Sequence, residues 1–162
     1  MSENKLGLDR TDRRILDILQ ADGSVSNLQL ADSIGLSASP CARRVKQLED
    51  SGVIARKVAL LDPLKLGLKM TALVQISMDK HTPERFENFE AHVQQYPEVI
   101  ECYLITGQSA DYQLKVVVPD MEYYQAFLLG KLTRIDGVTG VQSSFVMKKP
   151  VERTGLPLAH LS

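Results

Sequence analysis

The chain has 162 residues, 44% apolar and 24% charged, with a formal charge of −1. This composition excludes a disordered or collagen-like chain. The longest apolar run is four residues, as at 58–61, which excludes a membrane-spanning helix and predicts no membrane partner. The opening residues, MSENKLGLDRTD, lack the apolar segment of a secretory signal. Cys41 and Cys102 lie too far apart in sequence for a metal knuckle or a disulfide framework. A reducing, cytoplasmic setting is expected. A global basic field is absent, so nucleic-acid binding would need a local patch or repeated subunits.

The first helix is predicted to start at Asp9, whose carboxylate can cap the first turn, with Asp12 adding negative charge at the positive end of the dipole. Ile15, Leu16 and Leu19 recur at helical spacing, and Asp22-Gly23 ends the element. Ser26 with Gln29 three residues on is a capping-box pattern. Leu30, Ala31 and Ile34 mark the inner face of this second helix, and Gly35 stops it. A third helix follows from Ser37, with Pro40 in its first turn and Cys41, Val45 and Leu48 inward.

Helix, short glycine turn and helix form a helix-turn-helix pattern, whose second helix enters a DNA major groove. Residues 37–57 hold five basic against two acidic side chains. Away from the apolar stripe the third helix carries Pro40, Arg43, Arg44 and Gln47, flanked by Ser39 and Lys46. Arginine can read guanine and glutamine adenine, while serine and lysine suit phosphate oxygens. The bland reading of the same pattern is a bundle that merely packs. Residues 53–61 read as a strand or hairpin arm, in which Arg56 and Lys57 are phosphate contacts or ordinary edge charge.

From residue 69 the apolar period changes from helical to two. A strand through Ala72, Val74, Ile76 and Met78 precedes a helix with Phe86, Phe89 and Val93 inward. Strands at 99–106 and 111–118 follow, then a helix at 121–135 and a strand at 141–147. The order β-α-β-β-α-β predicts an α+β fold, a ferredoxin-like sheet with two helices on one face. Domain boundaries are expected at 1–63 for the helical head with its linker strand, and 64–162 for the body with its tail. Apolar residues occur on both alternating sets, Leu73 against Ala72 and Val74, Tyr103 and Ile105 against Cys102 and Leu104. Neither face looks suited to water, and each part is small, so a homo-oligomer is expected.

The segments LDRTDRRILDILQADG, SNLQLADSIGLSASPCARRVKQLEDSGVI, ALLDPLKLG, VIECYLITG and DYQLKVVVPDM carry a more specific signal. Through them the chain resembles the Lrp/AsnC family of transcription regulators over roughly residues 8–147, and within it the leucine-responsive branch. The resemblance implies a DNA-binding regulator that pairs through its sheets into dimers and assembles into octamers. It implies a free amino acid, bound between effector domains, that shifts assembly or DNA affinity. Carried over, Ser39, Pro40, Arg43, Arg44 and Gln47 fall on the DNA-facing helix, and 104–112 with strand residues around Ser143 fall on the effector site. The local run Gly-x-x-x-Asp-Tyr is one residue longer than the family's usual Gly-x-x-Asp-Tyr.

The loop chemistry suits a zwitterion, whose charges need partners when buried. Thr106, Gly107 and Gln108 can aim backbone N–H groups at a carboxylate. Asp111 either accepts from the ammonium or caps the turn before the next strand. Leu104, Tyr112 and Met121 can surround an aliphatic side chain, which favours leucine or methionine. No cofactor or metal site is expected. The rival reading is an amino-acid-binding oligomer that regulates an enzyme, with the head as a protein-binding module. Catalysis is not expected: His81, His92 and His160 are scattered, and no phosphate loop or paired acids appear.

Overall fold

The computed structural model describes residues 7–107 and 110–161. The chain forms two compact units, Met1–Leu60 with Val151–Ser162, and Leu61–Pro150.

In the first unit the caps act as the residue types dictate. Asp9 and Asp12 each donate a backbone N–H to the other's side chain at the start of α1, Arg10–Ala21. Ser26 and Gln29 do the same for α2, Asn27–Ile34. Gly35, at φ 72°, takes the left-handed conformation that closes α2 without Cβ strain. Helix α3 follows at Ala38–Asp50, and its Ser37 cap makes no side-chain bond. Ile15, Leu30, Ala31, Ile34, Cys41, Val45 and Leu48 form a single buried cluster. The strand expected at 53–61 does not form among the described residues. Val58, Leu60 and Leu61 are exposed, and β propensity without a partner strand orders nothing.

The C-terminal segment packs on α1. The Gln20 amide brackets Leu156, donating to its carbonyl at 3.1 Å and accepting from its N–H at 2.8 Å. Thr154 donates to the Gln20 carbonyl. The tail, which carries no chemistry legible in sequence, thus has a defined seat.

The second unit runs β1 (Met70–Met78), α4 (Pro83–Val93), β2 (Val99–Leu104), β3 (Tyr112–Val118), α5 (Met121–Gly130) and β4 (Val138–Phe145), with a short 3-10 turn at Leu132–Arg134. The sheet order is β2-β3-β1-β4 and all neighbours are antiparallel. This is the expected split arrangement. Ala72, Val74, Ile76, Tyr112, Leu114 and Val116 meet Phe89, Val93, Tyr124 and Phe127 in one core.

The opposite face is more polar than the alternation suggests. Register places Gln142, Gln75, Gln113 and Tyr103 in one row across the four strands, and Ser144, Leu73, Lys115 and Glu101 in the next. Lys115 pairs with Glu101 at 2.8 Å. Apolar area alone is therefore a weaker reason for covering this face than the strand pattern implied.

Candidate nucleic-acid interface and effector loop

Helix α3 is held in the head by Cys41, Val45 and Leu48, which are buried. Spacing of three and four residues puts this stripe on one side. Ser39, Pro40, Arg43, Lys46 and Gln47 are all exposed. Arg43, Lys46 and Gln47 have no side-chain partner among the described residues. They form a surface able to meet bases and phosphates.

Arg44 departs from the expected groove face. Its side chain is only 29% exposed, and its Nη1 donates to Asp9 Oδ2 at 2.7 Å and Asp12 Oδ1 at 2.8 Å. A helix advances 100° per residue, so Arg44 sits beside Val45 at the edge of the core stripe and faces α1. The Asp12 backbone N–H foremost, with Arg44, holds the Asp9 carboxyl below its usual range. The two carboxylates in turn raise Arg44. Arg14 adds a second tie, donating to the Ser33 carbonyl at the end of α2.

In the second unit the loop after β2 is closed at its base. Ile105 N–H donates to the Asp111 carbonyl, and Asp111 N–H to Ile76, both at 2.8 Å. Gly107 has φ 87°, a left-handed conformation open to glycine. Thr106 and Gly107 are exposed. Gln108 lies outside the described residues. The Asp111 carboxylate accepts from Met78 N–H at 2.7 Å and meets His81 Nε2 at 2.7 Å. Among the described residues Asp111 does not cap its own turn: one oxygen takes a backbone N–H from β1 and the other faces an imidazole that is 70% exposed.

Tyr112 does not project from the loop. It is 1% exposed, contacts Phe86 and Phe89, and donates its hydroxyl to Glu90 Oε1 at 2.8 Å. Its strand parity is that of Leu114 and Val116, which places it beneath α4. Burial and then Glu90 push its phenol up. Leu104 and Tyr112 do share a cleft of about 320 Å³ between α4 and the edge strand β2, with Val93, Val99 and Cys102. Burial, with the Glu90 charge, raises the Cys102 thiol to about 11. Ser143 is separate: β1 lies between β4 and β3, and the Ser143 hydroxyl is hydrogen-bonded to Tyr124 at 2.5 Å. Within one chain, then, Leu104, Thr106, Gly107, Asp111 and Tyr112 cluster and Ser143 does not.

Sequence reasoning missed His81 and Glu90. Their partners lie 30 and 22 positions away, and no local spacing signals either contact. Among the described residues no group of acids, histidines and cysteines is placed to hold a metal ion, and no helix is long and apolar enough to cross a membrane.

Residues 8–55 match a winged helix-turn-helix DNA-binding family, and residues 71–156 match the Lrp/AsnC ligand binding domain. The transcriptional regulator AzlB of Bacillus subtilis is 40% identical over 93% of this chain and 96% of its own. The leucine-responsive regulatory protein of Escherichia coli is 42% identical over 88% of this chain and 86% of its own. A transcriptional regulator of Neisseria meningitidis, solved as a complex with L-Met, superposes with a TM-score of 0.92 at 41% identity, covering 96% of this chain and 99% of that one. The chain belongs to the Lrp/AsnC family: it is a DNA-binding transcriptional regulator with an amino-acid-binding domain, and not an enzyme.

Proposed function

We propose that this regulator senses a small apolar amino acid, leucine or methionine, and reads DNA through α3. The observation that carries the effector reading is the fixed Asp111 carboxylate at the base of the Gly107 loop. An ammonium group would find there a carboxylate oriented by the Met78 N–H, whose Oδ1 it would share with or take from the exposed His81, and the loop N–H groups suit the effector's carboxylate. The site residues are Leu104, Thr106, Gly107, Gln108 and Asp111, with Tyr112 forming the inner wall, and the site is completed by a neighbouring effector domain. Ser143 contributes from its own position on β4. The Neisseria relative's L-Met complex and the Escherichia coli relative's name support an apolar effector.

On the DNA side the contacts fall to Ser39, Pro40, Arg43, Lys46 and Gln47. The protein works in the cytoplasm as a dimer and octamer, and the two heads of a dimer meet half-sites about 34 Å apart or at multiples of that spacing. Repeated heads offset the weak charge of one chain through effective concentration. Ligand binding shifts assembly or DNA affinity by a coupling of about 1–3 kcal/mol. A thermal-shift screen against the twenty amino acids tests the effector. Leucine or methionine raises the melting point by mass action. A response confined to charged or amide amino acids would refute the apolar assignment.

A further inference from the structure

We infer that Arg44 is a positioning residue for DNA recognition: by bridging the Asp9–Asp12 cap of α1, it fixes the roll of α3 about its own axis and so the aim of Arg43 and Gln47.

A single apolar stripe, Cys41, Val45 and Leu48, seats α3 on the core. Apolar packing is non-directional, so a stripe resists a small roll of the helix only through the fit of its side chains, whereas a directional bond off the stripe resists it by geometry. Leu36 before α3 and Val53 and Ile54 after it also pack on this core, but the Ser37 cap adds no directional side-chain bond. Arg44 does supply one. It leaves the helix about 100° round from Val45 and is held by two carboxylates. Those carboxylates are themselves locked by reciprocal bonds with backbone N–H groups at 2.8 and 3.1 Å. The guanidinium is thus tied to a rigid helix start rather than to two free side chains.

The consequence for reading DNA is geometric. At a side-chain radius of about 6 Å, a roll of about 10° moves a group by about 1 Å. Two-point recognition of a base tolerates about 0.5 Å. Phosphate binding is more forgiving, because it depends on charge more than on aim. Loss of the tie should therefore cost specific binding and spare non-specific binding. The charge arithmetic points the same way. Asp9 and Asp12 are negative groups in a head that must approach phosphates, so their neutralisation should favour DNA unless their work is to hold Arg44.

The test uses the full-length protein and two duplexes of equal length, one selected from a random pool for tight binding and one scrambled. Binding is measured across a salt series at a temperature where circular dichroism shows each variant folded. For Arg44→Met and for Asp9→Asn with Asp12→Asn, affinity for the selected duplex should fall at least tenfold. Affinity for the scrambled duplex should change less than threefold, and the salt slope should stay that of the parent. Lys46→Met is the contrast, with a slope shallower by about 0.9 for each phosphate it no longer neutralises. If Arg44→Met does not fold, Asp12→Asn alone removes one of the two carboxylate partners and is read in the same way. Three results overturn the inference: a slope change for Arg44→Met like that of Lys46→Met, which would make Arg44 a phosphate ligand; unchanged discrimination despite a lower melting point, which would leave it a purely structural pair; or tighter selected binding by the Asp9 and Asp12 variant.

Discussion

The head and the body hold their functional groups by different means. In the head, short helices around a small core are cross-tied by charge: Arg44 to Asp9 and Asp12, Arg14 to the end of α2. In the body, strand pairing sets positions, and the Asp111 carboxylate is fixed by a backbone N–H from the adjacent strand. Ion pairs near the surface respond to salt and pH, whereas a strand ladder does not. The aim of α3 is therefore open to electrostatic adjustment, while in the body charge pairs such as Lys115–Glu101 and Lys131–Glu98 act beside a ladder that sets the strand positions.

The comparison is broken most severely by removing an aimed group from the head. Arg43→Ala should lower specific DNA affinity by about 1–3 kcal/mol per engaged head, with amino-acid-induced stabilisation of the body intact; a gel-shift titration beside a thermal shift checks both. The reciprocal change, Asp111→Ala, should abolish the stabilisation by leucine or methionine, about 2.7 kcal/mol at a hundredfold excess over the dissociation constant. DNA binding without amino acid should persist, and isothermal calorimetry decides the ligand half.

A third prediction concerns the body's own buried charge. Glu98 is 7% exposed, accepts from Lys131 at 2.6 Å and from Tyr123, and its Oε2 has no partner among the described residues. Burial, the largest influence, raises its pKa, but Lys131, the Glu98 backbone N–H and Tyr123 together hold the carboxyl below its usual range. Lys131→Met should cost about 2 kcal/mol in urea melts, less than a fully buried pair because Lys131 is 39% exposed. Glu98, Glu101 and Asp9 all have lowered folded values. Their stabilising contribution is thus present above the unfolded values near 4 and is lost as pH falls through the folded ones. Melts from pH 6 to pH 3 should show this decline, and Lys131→Met should flatten its Glu98 part. The smallest effect is expected at the tail: Gln20→Ala should cost about 1 kcal/mol or less, seen as faster proteolysis at 151–161.

Where the determinants are local, the residues announce the structure. Asp9 with Asp12, Ser26 with Gln29, and Gly35 mark helix ends from spacing alone, and the strands of the body follow from alternation. What depends on distant partners is silent. Helical spacing alone puts Arg44 nearer the Cys41, Val45 and Leu48 stripe than Arg43, but its two carboxylate partners lie 32 and 35 positions away and are not signalled locally. Tyr112 falls within the predicted strand 111–118, but that it lies beneath α4 with its hydroxyl on Glu90 depends on a partner 22 positions away. Residues 53–61 have strand composition and no strand to pair with in one chain. Gln20 gives no hint that it holds the tail, 136 positions away.

The central claim, one chain coupling DNA reading to amino-acid sensing, is tested most directly by measuring affinity for a selected duplex while leucine or methionine is titrated. The account predicts a saturable change of about 5–150-fold that is absent in Asp111→Ala. An affinity unmoved by all twenty amino acids, with an assembly state equally unmoved, would contradict it.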